Sequence, residues 1–149
     1  MLLGKVSSLL LLCLSAAADQ QNITVKPGDD ATLQCHFPSD AAFTQLQWTR
    51  LEQKSDRFVF FCRNKRLFES YQHPSFRGRV ELRDPEMKDG DVSVTVKNVT
   101  VNDAGTYKCE IISSMIENGE RTTSEFSSNV SLTVTDSGEL VENVLSSPT

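Results

Sequence analysis

The sequence predicts an all-β domain made of short antiparallel strands. Between Asn22 and Thr135, brief runs of alternating apolar and polar residues are divided by turn residues, a pattern typical of strands with one buried and one solvated face. No stretch keeps a helical period for long. The 149 residues suffice for one domain with a real core, but not for two.

The predicted strands follow one another at short intervals. They cover 23–25, 31–35, 46–50, 57–63, 79–83, 92–96, 106–112 and 127–135. The last two form a hairpin whose tip contains Asn118-Gly119, a dipeptide suited to positive backbone angles. The segment 64–78 is expected to cross from one sheet edge to the other. The continuous apolar run from Phe58 to Phe61 indicates either burial on both faces or one face open to a partner.

The two ends of the chain differ from its middle. Residues 1–18 read as a cleaved secretory signal, with Lys5 ahead of an apolar run and small residues from Ser15 to Ala18. That run is too short for a membrane anchor. Residues 136–149 read as a flexible tail, which leaves 19–135 as the domain. The predicted location is extracellular, either secreted or on the outer side of the plasma membrane if the natural chain continues into a membrane segment.

Charge and cysteine content narrow the function classes. Without Lys5, 15 basic residues become 14 against 20 acidic residues, and this net charge of −6 argues against nucleic acid as a partner. Cys13 leaves with the signal, so three cysteines enter an oxidising compartment, where one bridge forms and one thiol remains.

A constellation of residues identifies the fold. Trp48 lies 13 residues after Cys35 and Cys109 lies 74 after it, each within a predicted strand. Tyr107 stands two residues before Cys109, where a tyrosine corner places its phenol. Asp103 is positioned to pair with Arg79 at the start of an earlier strand. With these residues, the chain resembles the V-set immunoglobulin family over roughly residues 20–135.

The resemblance implies a two-sheet Greek-key β-sandwich of about nine strands, closed by a Cys35–Cys109 disulfide under Trp48. Leu33 and Tyr107 complete the expected core. A bridge over that separation contributes about 4.5 kcal/mol of stability on the chain-entropy model.

A narrower resemblance is to butyrophilin-like and T-cell costimulatory-ligand V domains. It rests on the segments 57–60, 76–80 and 103–107, which read RFVF, FRGRV and DAGTY. The last strand contains Phe126-Ser127-Ser128 where antigen receptors have Phe-Gly-x-Gly, so a rearranged antibody or T-cell-receptor chain is not expected.

This resemblance implies partner binding through one sheet face. The residues expected there are Gln47, Thr49, Val59, Phe61, Arg63, Lys108, Glu110 and Ile112, and Met115 lies in a neighbouring loop. The predicted function is recognition of a cell-surface protein, as a ligand or receptor that modulates immune-cell (T-cell) signalling. The alternative is a homophilic or heterophilic adhesion module, with self-association into a homodimer.

Three sequons predict glycans at Asn22, Asn98 and Asn129, although chance accounts for some such triplets. Cys62 is expected to be a small buried hydrophobe, and the alternative is a covalent dimer through its thiol. No enzyme, cofactor, small-molecule substrate or metal site is predicted, because His36 and His73 lie in no nucleophile or zinc motif.

Overall fold

A computed structural model describes residues 20–38, 43–53 and 56–136 and shows two packed β-sheets. The predicted signal and nearly all of the predicted tail lie outside these residues. The nine described strands are β1 (Gln20–Val25), β2 (Ala31–Leu33), β3 (Gln45–Arg50), β4 (Phe60–Arg63), β5 (Arg66–Leu67), β6 (Val80–Leu82), β7 (Val94–Val96), β8 (Gly105–Glu117) and β9 (Glu120–Val134).

The front sheet has the strand order β1-β9-β8-β3-β4-β5, and the back sheet has the order β2-β7-β6. All pairs are antiparallel except β1 with β9, which run parallel from Gln20 opposite Asn129 to Val25 opposite Val134. After β1 the chain turns at Lys26–Asp29 and enters the back sheet as β2, so β1 has no hairpin partner. The predicted all-β sandwich is confirmed, with this parallel edge pair as a refinement.

The described helices are short 3-10 turns over Glu69–Tyr71, Pro74–Phe76, Lys88–Gly90 and Val101–Asp103. In the described part of the chain, none is long and apolar enough to cross a bilayer. The first two carry the chain from β5, at the front-sheet edge, to β6 in the back sheet. This is the crossing predicted for residues 64–78.

The core lies between the sheets around the disulfide. Cys35 and Cys109 are bonded, with their Cα atoms 6.6 Å apart. Trp48 is fully buried beside them, and its indole Nε1 donates to the Val92 carbonyl oxygen at 3.2 Å. Leu33 and Tyr107 are also fully buried. The predicted core residues therefore meet in one cluster.

Four predicted strands are shorter in the structure, those predicted over 31–35, 57–63, 79–83 and 92–96. The strand predicted over 31–35 ends at Leu33, because the Ser93 hydroxyl accepts the Cys35 amide hydrogen at 3.0 Å in place of a neighbouring strand. The strand predicted over 57–63 begins only at Phe60. Ahead of it, Phe58 forms an isolated bridge with Gln72.

Candidate functional site

The outer face of the front sheet carries a continuous line of polar side chains across three strands. Gln47 on β3 donates from Nε2 to Glu110 Oε1 on β8 at 2.9 Å, and Gln45 Nε2 donates to Gln47 Oε1 at 2.7 Å. Arg63 on β4 donates from Nε and Nη2 to Gln45 Oε1 at 3.3 and 3.2 Å. Lys108 Nζ lies 3.5 Å from Glu110 Oε2. We call these five residues the polar ladder.

The register explains why these residues meet. Gln47 lies opposite Glu110 on one side and opposite Phe61 on the other, while Gln45 lies opposite Ile112 and Arg63. Directly opposed side chains in a sheet are close enough to touch, and residues two apart on one strand share a face, so the ladder follows from strand pairing and alternation. Thr49, opposite Lys108, and Ile112 lie at its two ends and are both half-buried.

Six of the predicted partner-binding residues therefore share one surface. They are Gln47, Thr49, Arg63, Lys108, Glu110 and Ile112. Met115 lies on β8 opposite Thr122, beyond the point where β3 begins.

Val59 does not belong to this surface. It is 1% exposed and packs in the core between the sheets, because the backbone is irregular before β4 and alternation does not extend back to residue 59. Its amide donates to the Trp48 carbonyl, and its own carbonyl accepts from Gln72 Nε2 at 2.9 Å. The prediction of Val59 as a partner-binding residue is corrected.

Phe61 points to the outer face, as predicted, but it is only 2% exposed. Three rings cover it, with centroids 4.9 Å away for Phe58, 4.9 Å for Tyr71 and 5.7 Å for Phe68. The first 3-10 turn carries the last two rings back over β4. Phe61 is thus the buried centre of an aromatic cluster outside the core. The prediction of Phe61 as a partner-binding residue is corrected.

Sequence reasoning missed several residues on this surface. Gln45 completes the ladder, and Leu67 and Tyr71 are 45% and 41% exposed at its β5 side. Phe58 and Phe68 hold the aromatic cluster together. The sequence did contain a signal for the turn between β4 and β5. Asn64 stands between Arg63 and Lys65, and asparagine readily adopts the left-handed conformation of a tight hairpin turn.

Beyond Ile112, β8 and β9 continue as a two-stranded ribbon over residues 113–124. These strands pair with each other up to Glu117 and Glu120, while the β3 pairing with β8 ends at Gln45 opposite Ile112. Asn118 and Gly119 form the tip with φ of 53° and 80°, as their sequence predicted. Ile116 is 71% exposed on this ribbon. The predicted loop contact is therefore a projecting β-ribbon.

Cys62 faces the core. It lies opposite Leu46 in the β3–β4 pair and is 4% exposed. Burial raises the pKa of its thiol, and a hydrogen bond from the Lys65 amide offsets only part of that rise. A protonated, buried thiol is a poor nucleophile, which favours the interpretation as a small hydrophobe over a covalent dimer.

At the other end of the sandwich, Arg79, just before β6, and Asp103, just before β8, form a two-pronged ion pair with Nη2–Oδ2 at 2.6 Å and Nη1–Oδ1 at 3.3 Å. The Tyr107 hydroxyl donates to the Asp103 carbonyl oxygen, which is the geometry of a tyrosine corner. Burial is the main cause that raises the pKa of Tyr107 well above its ordinary value. Asp103 Oδ2, which accepts from Arg79 Nη2, also accepts the Thr100 amide hydrogen at 2.9 Å.

The sequons occupy different positions. Asn22 is exposed on β1, and Asn98 is exposed in a left-handed turn with φ of 52°. Asn129 is half-buried on β9 opposite Lys108, so its side chain shares the face of the polar ladder.

The histidines form no catalytic grouping in the described residues. His36 is exposed. His73 Nδ1 lies 2.8 Å from Ser75 Oγ and accepts the Ser75 amide hydrogen, so it caps the short helix Pro74–Phe76. That contact is local and stabilises the start of the turn.

Comparison with known proteins agrees with this architecture. The family model described as immunoglobulin V-set domain matches residues 18–135. Junctional adhesion molecule B of Homo sapiens is 31% identical over 97 residues, which are 65% of this chain and 28% of that protein. V-set domain-containing T-cell activation inhibitor 1 of Rattus norvegicus is 33% identical over 84 residues, 56% of this chain and 30% of that protein.

The crystal structure of bovine butyrophilin superposes with a TM-score of 0.58 at 26% identity, covering 76% of this chain and 50% of that one. The matched part of the chain spans less than a third of the length of the two curated relatives.

Proposed function

The chain belongs to the immunoglobulin V-set family, and from that premise we propose that it is an extracellular recognition domain whose front sheet binds a protein on a cell surface. Members of this family are typically non-enzymatic recognition modules, so function lies in a surface and not in a catalytic centre. The observation that carries the proposal is the polar ladder with Ile112 at its end.

The ladder suits a protein partner for two reasons. Its side chains are held by mutual hydrogen bonds across β8, β3 and β4, so little conformational freedom remains to be lost on binding. Four of them are half-buried and Arg63 is exposed, with Ile112 and the aromatic cluster at the margin. Apolar groups next to ordered polar groups are typical of protein interfaces.

We propose that the partner is on an immune cell and that binding modulates T-cell signalling. The support is the similarity to a relative named as a T-cell activation inhibitor and to bovine butyrophilin.

Adhesion is the second candidate, supported by the 31% identity with junctional adhesion molecule B. In that case the same surface would bind a second copy or a related adhesion protein. The two candidates differ in a measurable way, because homophilic adhesion requires self-association and a signalling ligand requires a different protein.

The discriminating experiment uses the secreted chain, tetramerised and applied to activated T cells, with sedimentation velocity of the untagged chain in parallel. We expect saturable cell binding that Ile112→Asp abolishes, since a carboxylate placed at the interface margin would be desolvated without a partner. Concentration-dependent dimers abolished by the same substitution, without T-cell binding, would favour adhesion.

Val101→Asp is the matched control. Val101 is 59% exposed at the opposite end of the domain, so the same chemical change there should leave cell binding intact. Circular dichroism of both variants shows whether each is folded. If a folded Ile112→Asp variant binds cells as well as the parent chain, the front sheet is not the binding surface.

We propose further that Asn22 and Asn98 carry glycans and that Asn129 does not. A glycan at Asn129 would stand beside Lys108 and cover one end of the ladder. Mass spectrometry of the secreted chain before and after glycosidase treatment tests this, and full occupancy at Asn129 would argue against the ladder as a contact surface.

A further inference from the structure

The turn between β4 and β5 collects cations that have no acidic partner. In the described parts of the chain, no carboxylate lies within ion-pair distance of Arg63, Lys65 or Arg66. Elsewhere, carboxylates accompany Arg50, Arg79, Arg83, Lys88, Lys97 and Lys108. Lys26, Arg77 and Arg121 also have no ion pair among the described residues, but they are far apart in the sequence, whereas three such cations stand within four residues at this turn. The turn is thus a local cluster of positive charge on a chain that is acidic overall, with a net charge of −5.

The backbone forces two of these cations together. Asn64 and Lys65 form a two-residue turn with φ of 52° and 65°, and Arg63 lies directly opposite Arg66 in the β4–β5 pair. Like charges directly opposite each other in a sheet are destabilising. An anion placed between the two guanidinium groups would remove that repulsion.

The aromatic cluster positions the same two arginines. The Arg63 guanidinium carbon lies 5.2 Å from the Phe61 centroid and 5.9 Å from that of Phe68, and the Arg66 carbon lies 5.8 Å from Phe68. Cation–π contact with rings that are themselves packed limits how far the guanidinium planes can turn. Ordered guanidinium groups are well suited to bind a carboxylate through two parallel hydrogen bonds.

We propose that this corner, defined by Arg63, Lys65 and Arg66, binds an acidic peptide segment of the protein partner. Leu67 and Tyr71 are 45% and 41% exposed beside it, so carboxylates and neighbouring apolar side chains of one segment find complementary groups. The inference rests on the proposed function in one respect, that the ligand belongs to a protein.

A sulfated polysaccharide fits the corner less well. Its negative charge is continuous, and from the corner it would extend over Glu69, which is exposed two residues after Leu67, or towards Glu110 in the ladder. A short peptide can place its carboxylates at the corner alone. The observed charge pattern therefore favours the peptide.

The test measures fluorescence anisotropy of a short labelled peptide in which glutamate alternates with leucine, titrated with the secreted chain. We expect binding that weakens roughly ten-fold or more in the double variant Arg63→Gln/Arg66→Gln and that is absent for the peptide with glutamine in place of glutamate. Lys88→Gln/Lys97→Gln makes the same change in net charge away from the front sheet, and this control should bind like the parent chain.

Three results would overturn the proposal. They are equal weakening in the lysine control, no peptide binding by the parent chain, and tighter binding of heparin than of the peptide that depends on Arg63 and Arg66. If the peptide does not bind but the chain still binds T cells through Ile112, the proposed function stands and this inference alone fails.

Discussion

The two ends of the β-sandwich use arginine in opposite ways. At one end, Arg79 is neutralised by Asp103, whose carboxylate also accepts a backbone amide hydrogen and whose carbonyl accepts the Tyr107 hydroxyl hydrogen. We call this the charge-paired end. At the other, open end, Arg63 and Arg66 face each other on aromatic rings, with no carboxylate among the described residues at ion-pair distance.

This difference means that the arginine at the charge-paired end serves stability, whereas the two arginines at the open end are suited to recognition. A guanidinium group whose hydrogen bonds are all made inside the domain stabilises the fold and has nothing left for a partner. One that is ordered but uncompensated contributes little to stability and retains its capacity to bind an anion. Substitutions at the two ends should therefore affect different measurements.

The largest loss of stability is expected at the open end, from a substitution inside its buried aromatic cluster. Phe61→Ala should lower the free energy of unfolding by about 3–4 kcal/mol, because a ring that is 2% exposed leaves a cavity beneath three others. Urea denaturation measures it, and Phe61→Leu should cost about 1 kcal/mol as a smaller change in volume. A loss well below 1 kcal/mol for Phe61→Ala would show that the cluster opens readily and would restore Phe61 as a contact residue.

At the charge-paired end, Asp103→Ala should cost about 3 kcal/mol, because it leaves Arg79 without its acid and the Thr100 amide without an acceptor. The Arg79 side chain is 27% exposed, so water recovers part of the loss. The matched control is Asp91→Ala. Its carboxylate likewise accepts a backbone amide hydrogen, from Ser93 at 3.1 Å, but its partner Arg83 is 40% exposed, and a cost of about 1 kcal/mol is expected there. Equal costs for the two variants would remove the distinction between a buried and a surface pair.

Tyr107→Phe should cost about 1 kcal/mol at neutral pH through loss of the hydrogen bond to the Asp103 carbonyl. The role of the Tyr107 phenol shows more specifically in how stability changes at alkaline pH. Because burial raises the pKa of Tyr107 in the folded state, its contribution is complete below the unfolded tyrosine pKa of about 10 and is lost as pH rises above it.

The parent chain should therefore lose up to about 1.4 kcal/mol per pH unit from this group above pH 10, and the phenylalanine variant should lack that component. Denaturation of both chains between neutral pH and pH 11 measures the difference. Parallel pH profiles would mean that the phenol is accessible to solvent.

The sequence predicted the charge-paired end well and the open end less well. Cys35, Trp48, Arg79, Asp103 and Tyr107 hold positions set by the fold itself, so their types and spacing sufficed to place them. Strand alternation also assigned Cys62 to the core and Phe61 to the outer face.

Alternation cannot show what covers a face. Phe68 and Tyr71 reach Phe61 only because a 3-10 turn carries them back over β4, and neither has a periodic relation to it. Val59 was misassigned for a related reason, since regular strand geometry begins one residue later. The β4–β5 turn escaped notice because its strands are so short, and a two-residue strand has no period to detect.

The smallest expected change in the free energy of unfolding also lies at the open end, and there it is close to zero or an increase. Arg66→Gln removes one of two opposed cations, so the free energy of unfolding should stay within about 0.5 kcal/mol of the parent value, or rise, and the gain should be larger at low ionic strength. The cation–π contact with Phe68 is lost as well, which limits the gain. Urea denaturation measures the net change, and comparison of low with high salt shows how much of it comes from repulsion between the two arginines.

Arg66→Lys keeps the charge and should stay at the parent value. If Arg66→Gln destabilised the domain by more than about 1 kcal/mol at every salt concentration, Arg66 would be a structural residue like Arg79, because a cation whose removal unfolds the domain is already committed to internal contacts.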